Sequence, residues 1–318
     1  VRLHVRAFRA SVFWTLGLLF LGSVVHATES SLACPDWPTC FGTMIPEMTG
    51  GVFWEHLHRL VAGGLLLLWG LATWLARREA RSQPWIFRAS LAGFGLLLVQ
   101  SVFGGLTVIY RLPDLVSTTH LALAFLFLAL ATWLAAASAA RAPAAALATA
   151  TDATDGEEGA MPPATSSLRA WAAASAGLVF AQSVLGALVR HMDAGMACPD
   201  APLCLGQVVP PLVNAPITAH FFHRVLGTLV LVFVCGLAWW VARSEAAAHL
   251  RRWMLTAAAL VVAQVVLGFA SVLTVLAVVP VSLHTLVAAS LLSALVHVAT
   301  IAEPVARSAR PRAPFAAV

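Results

Sequence analysis

Residues able to do chemistry crowd into one stretch, CPDWPTCFGTMIPEMTGGVFWEHLHRL, from Cys34 to Leu60. It holds two cysteines, a carboxylate at Glu55, histidines at 56 and 58, and an arginine at 59, just before or inside a long apolar run. The stretch has a partner. CPDAPLCLG at 198–206 repeats CPDWPTCFG at 34–42 at six of nine positions, 164 residues further on. HFFHRVLG from His220 then follows as the counterpart of EHLHRLVAG from Glu55. The chain is one module written twice, and its function lies in what the copies share and where they differ.

Histidine is the chemistry both copies share. His58 and His223 are 165 residues apart, and His120 and His284 are 164 apart. Each sits in the first turns of an apolar run. A single histidine in such a place is most simply a hydrogen-bonded packing residue. Four at one depth point instead to a binding site, because polar side chains are costly in a bilayer and tend to mark function. Zinc would call for further Cys, His or carboxylate ligands converging on one point. One histidine pair per four-helix half, in apolar surroundings, suits a haem with two axial imidazoles. Arg59 and Arg224 directly follow their histidines and could meet haem propionates, or extend to lipid headgroups.

The copies differ at Glu55, three residues before His58 and on the same helix face; His220 takes that place before His223. A carboxylate there could accept a proton or stabilise positive charge on a substrate, or pair with Arg59. The asymmetry favours chemistry in the first half and a resident cofactor in the second. Cys34 with Cys40, and Cys198 with Cys204, form two Cys-x5-Cys pairs on the oxidising side, where disulfides persist. They are either structural staples or, if exposed and reducible, redox groups. Cys235 reads as a packing residue. His56 points to another helix face, His4, His249 and His297 lie toward the other side, and His26 and His191 flank the outer ends of helices one and five.

The elements that position these residues follow from composition. Of 318 residues, 60% are hydrophobic and 10% charged, and the mean hydropathy is +0.87. That excludes a soluble domain and leaves an all-α polytopic membrane protein. Apolar runs of about 20 residues each cross a bilayer as helices. The runs predict eight: 10–25, 53–75, 89–110, 116–137, 170–189, 218–241, 253–275 and 281–301. The domains are an N-terminal four-helix half over 1–138, a flexible cytoplasmic linker rich in Ala, Pro and Thr over 139–168, and a C-terminal half over 169–318. The first run also fits a signal peptide ending at Val25-His26-Ala27. Retention of its counterpart deep inside the second copy argues against removal.

All 19 basic residues are arginine, giving a net charge of +5. They occupy short loops between apolar runs, so they report topology and not nucleic-acid binding. Fifteen fall on one side, including Arg307, Arg310 and Arg312, and only Arg111 and Arg190 on the other. The positive-inside rule puts both termini in the cytoplasm of a plasma-membrane protein and both cysteine loops outside.

CPDWPTCFG with EHLHR, CPDAPLCLG with HFFHR, and His120 and His284 opening helices four and eight together resemble the haem A synthase family. The resemblance covers nearly all eight helices and implies two pseudo-symmetric four-helix bundles. It implies haem O as substrate between His58 and His120, haem B as cofactor between His223 and His284, and Glu55 as the catalytic glutamate. The implied reaction oxidises the C8 methyl of haem O to a formyl group by successive hydroxylations. Haem O synthase and cytochrome oxidase assembly factors are the implied protein partners. The end of helix one departs from the family's VRxTxSG: it reads VVHATESS, with His26 at the arginine position and Glu29 near the glycine. LVRHMDAG in the second half is nearer the pattern. A two-haem electron-transfer protein of cytochrome b type would also need paired histidines, but not Glu55. A haem-handling protein would bind without chemistry.

Overall fold

Long runs of Leu, Ala, Val and Phe can satisfy their backbone in lipid only as helices, and the computed structural model has eight among its described residues, 2–148, 163–245 and 247–302. They are α1 (Leu3–Ala27), α2 (Gly50–Ala76), α3 (Pro84–Ile109), α4 (Asp114–Ala148), α5 (Pro163–His191), α6 (Ala215–Arg243), α7 (Arg251–Leu273) and α8 (Val278–Ile301). All eight are long and apolar enough to span a membrane. This is a multi-pass membrane protein.

Starts are set by local chemistry. Pro84 opens α3, where a missing N–H costs nothing. The Asn214 side chain accepts the Ile217 N–H at 2.9 Å to cap α6. Helix continues into both ends of the stretch read above as linker, since α4 runs to Ala148 and α5 begins at Pro163. The remainder of that linker, and Arg307, Arg310 and Arg312, lie outside the described residues.

Helices α1–α4 close one ring, with α1 against α2 and α4, and α3 against α2 and α4. Helices α5–α8 repeat it. The rings meet where α1 packs on α8, α4 on α5, and α4 on α8, the pattern a two-fold pseudo-symmetry gives. One apolar cluster belongs to the first half and includes Phe8, Trp69 and Leu134. The other fills the second half and reaches across to Leu19, Phe125 and Leu128. Thr132 and Ser293 add a 3.2 Å hydroxyl contact across the α4–α8 seam. Large side chains such as Phe13, Leu67 and Val232 point outward, as lipid-facing positions should. At the arginine-rich ends, Arg77 and Arg78 lie over Trp74, and Arg243 over Trp239. Such pairs suit a headgroup boundary.

The repeat extends to backbone detail. The α3–α4 turn places Arg111 and Leu112 at φ 56° and 61°, and the α7–α8 turn places Val275 and Leu276 at 52° and 60°. Every even helix therefore returns in the same direction and brings its histidine to the same end of its bundle.

Candidate functional site

The two cysteine loops wall off one end of the bundles, and each is built in the same way. Cys34 is bonded to Cys40 and Cys198 to Cys204, with Cα–Cα distances of 4.8 and 4.6 Å. Asp36 accepts the N–H groups of Phe41 and Gly42 at 2.6 and 2.9 Å and the Thr39 hydroxyl. Asp200 accepts those of Leu205 and Gly206 at 2.8 and 2.6 Å. The Thr39 hydroxyl and then the Gly42 N–H hold the Asp36 carboxyl below its ordinary range. The Gly206 and Leu205 N–H groups do the same for Asp200.

Arg59 and Arg224 tie these loops to α2 and α6. Arg59 donates to the carbonyls of Asp36 and Thr39, each at 2.6 Å, and to Cys34 at 3.4 Å. Arg224 donates to Asp200 at 2.8 Å, Leu203 at 2.5 Å and Cys198 at 2.6 Å. Both Nη nitrogens of each residue considered above for propionates are thus bonded to loop carbonyls.

Glu55 is buried under the first loop. Its Oε2 accepts the Cys34 N–H at 2.8 Å, and its Oε1 pairs with Arg59. The carboxylate and the guanidinium are therefore coupled, and the carboxylate is bonded to the backbone of a disulfide cysteine. Its counterpart His220 donates from Nδ1 to the Ala194 carbonyl at 2.9 Å. His56 is also buried; its Nε2 donates to the Met44 carbonyl at 3.0 Å. A ring nitrogen of His56 and the two sulfurs lie within 4.8 Å of one another, but the sulfurs are spent on their own bond.

Behind the loops, each of the four histidines enters its ring beside a glycine of the preceding helix. A Cβ on Gly22, Gly104, Gly186 or Gly268 would stand 3.0, 3.0, 2.7 or 3.1 Å from Cε1 of His58, His120, His223 or His284. His120 donates Nδ1–H to the Gln100 carbonyl at 3.1 Å, and His284 to the Gln264 carbonyl at 3.0 Å. That fixes the tautomer and leaves Nε2 as the free lone pair. The Gln100 and Gln264 side chains stand 3.4 and 3.0 Å from those Nε2 atoms. His223 and His284 have ring centroids 6.4 Å apart. Two metal–imidazole bonds of about 2 Å each, plus roughly half a ring on either side, fit that separation. Buried polar atoms without partners, His58 Nδ1 and the Oε1 of Gln100, Gln182 and Gln264, line the same sites. Paired neutral imidazoles, glycine-made space and an apolar surround fit an iron porphyrin better than a bare ion.

His26 and His191 meet at the junction of the halves on the cysteine-loop side, with centroids 5.3 Å apart. His191 contacts Thr118 at 3.0 Å, and Arg190 donates to the His26 carbonyl at 3.1 Å. The glycines and glutamines escaped the sequence reading. The signal was present: QSVFG at 100–104, QSVLG at 182–186 and QVVLG at 264–268 recur every 82 residues.

Known proteins resemble this chain over most of its length. The family model for cytochrome oxidase assembly proteins, COX15-CtaA, matches residues 47–296. The heme A synthase of Symbiobacterium thermophilum is 31% identical over 250 residues, 78% of either chain. That of Alkalihalophilus pseudofirmus is 28% identical over 309 residues, covering 94% of this chain and 98% of the relative. The heme A synthase of Ruegeria pomeroyi, 26% identical, aligns over 85% of this chain and 80% of its own. The chain belongs to the COX15-CtaA family of cytochrome oxidase assembly proteins.

Proposed function

We infer that this protein is a haem A synthase, a membrane oxidoreductase that converts haem O to haem A. The observation that carries the reading is the pairing of four glycine-backed histidines in two like rings, with a buried carboxylate over only one of them. The C8 methyl group passes to an alcohol and then a gem-diol, which loses water to give the formyl group. Each hydroxylation replaces a C–H bond by C–OH and withdraws two electrons from the substrate, which pass on to an external electron acceptor.

His58 and His120 hold haem O in the first half, and His223 and His284 hold haem B in the second. The haem B supplies one-electron redox chemistry when bound. Glu55 is the proton-accepting group of the first half. Its carboxylate is held in place by the Cys34 N–H and Arg59, so it needs no reorganisation as charge develops. Arg59 and Arg224 fix the loops as the wall of each cavity and give that end positive charge, where an anionic group of a haem would be favoured. The disulfides and Asp36 and Asp200 keep those walls closed to water. Both termini are cytoplasmic and both loops external, in keeping with the arginine distribution.

The test is to express the chain in cells that make haem O but lack a haem A synthase, then to extract and separate the haems. Haem A appears with this chain. Haem O left unconverted at normal protein level would overturn the assignment.

A further inference from the structure

The Gln-x-Val-x-Gly motif opens three of the four helix pairs and fails in the fourth. At 18–22 the chain reads LLFLG, so Leu18 stands where Gln182 stands in α5. The glycine survives as Gly22 and still admits His58, but the glutamine does not. The consequence is local to one histidine. In the second half the Gln182 amide nitrogen lies 3.0 Å from His223 Nδ1 and 3.5 Å from its Nε2, and donates to the His223 carbonyl at 2.8 Å. Gly227 makes room for it, since a Cβ there would stand 3.1 Å from Gln182 Nε2. In the first half His58 Nδ1 is buried with no partner among the described residues. The position of Gly227 is taken by Ala62 in the first half. His120 and His284 are served alike, each by a backbone carbonyl at Nδ1 and by the Gln100 or Gln264 amide at Nε2. Among the four paired histidines, the halves therefore differ in the partners of His58 and His223.

An imidazole that ligates a metal through one nitrogen is oriented by what its other nitrogen meets, and loss of that partner weakens ligation. An amide can offer His223 Nδ1 a donor or, through the otherwise unpartnered Oε1, an acceptor. Leucine can offer neither. We propose that Gln182 and Leu18 are positioning residues that set how firmly each half holds its haem. Gln182 locks the His223 ring as a permanent ligand. Leu18 leaves the His58 ring free to turn about its side-chain bonds, so that His58 is the ligand that lets go. A substrate haem has to enter and leave, whereas a cofactor has to stay, and this one exchange serves both needs. The inference rests on the reading that all four histidines ligate haem iron and that the first half handles the substrate.

The test uses the purified full chain and two readouts other than turnover: the rate of haem transfer to excess apomyoglobin, and the low-spin fraction in the absorption and electron paramagnetic resonance spectra. Gln182→Leu is expected to speed loss of the tightly held haem by about tenfold to a hundredfold and convert part of it to a high-spin form. Leu18→Gln is expected to slow release from the first half by a similar factor. Gln182→Met, which keeps length without the amide, should behave as Gln182→Leu does. If it holds haem as the unaltered chain does, side-chain volume matters and not hydrogen bonding, and the proposal falls. Unchanged release in both Gln182→Leu and Leu18→Gln overturns it as well. His58→Ala and His223→Ala identify the half behind each kinetic phase. If the slow phase proves to belong to the first half, the division of labour is wrong. Gln182→Leu would in that case still accelerate the phase that His223→Ala removes, so the two failures are distinguishable.

Discussion

The two halves share a scaffold down to single hydrogen bonds and part company only around the site. Asp36 and Asp200 close the same turn, and Arg59 and Arg224 hold the same three loop carbonyls. The same glycines admit all four histidines. Against that background stand Glu55 for His220, His56 for Phe221, His26 for Arg190 and Leu18 for Gln182. The first half gains a buried carboxylate and loses a ligand's partner; the second has the reverse. On the proposed function, the shared parts hold haem and the divergent ones decide what is done with it.

The largest expected effect falls on that carboxylate. Glu55→Gln keeps an acceptor for the Cys34 N–H but removes the charge and the proton-accepting oxygen. Haem A formation should fall by about a hundredfold to ten-thousandfold with membrane protein level and bound haem B little changed. His220→Gln should cost far less. Haem extraction beside immunoblotting checks both, and equal losses at the two positions would erase the distinction between the halves.

The arginines come next. Arg59→Ala leaves the buried Glu55 carboxylate without its ion pair, which costs about 3–5 kcal/mol. Arg224→Ala strands only carbonyls, at roughly 1–3 kcal/mol. Thermal unfolding in detergent should therefore rank Arg59→Ala below Arg224→Ala. The opposite order would mean that Glu55 and Arg59 are not coupled.

Glycine substitutions sharpen the picture further. Gly186→Ala would put a Cβ 2.7 Å from the His223 ring and Gly22→Ala one 3.0 Å from His58. Each overpacks its site by about 1–3 kcal/mol. Gly186→Ala should lower haem retained on purification, while Gly22→Ala should slow turnover with retained haem intact.

The smallest effect is one the halves share. Folding lowers the pKa values of Asp36 and Asp200, so their contribution is present above the unfolded carboxylate range and is lost only as pH falls through the lower folded value. Both loops should stay closed through neutral and mildly acidic conditions. Amide exchange at Phe41, Gly42, Leu205 and Gly206 should accelerate only below the usual carboxylate range.

Much of this could be read from sequence because it is written in composition and in a repeat. Eight helices follow from eight apolar runs, and the histidines stand out because polar residues are rare there. The loop anchors did not follow, because Arg59 reaches carbonyls 20 to 25 positions back and its partners are backbone atoms, which carry no residue signature. Gly22 and Gly186 look like any glycine in an apolar helix until the imidazole from the next helix is placed against them. The overhang of α4 and α5 into the linker was missed because Ala-rich sequence without apolar bulk still forms helix. Glu55 was legible as an asymmetry, but its dual hold on Cys34 and Arg59 needed the loop's position.

The division of labour is tested most directly by the haems that co-purify with His58→Ala and His223→Ala, extracted and separated by chromatography. The account predicts that His58→Ala keeps haem B at the level of the unaltered chain and makes no haem A, whereas His223→Ala loses haem B. Equal loss of the same haem from both proteins, or loss from His58→Ala alone, would contradict it.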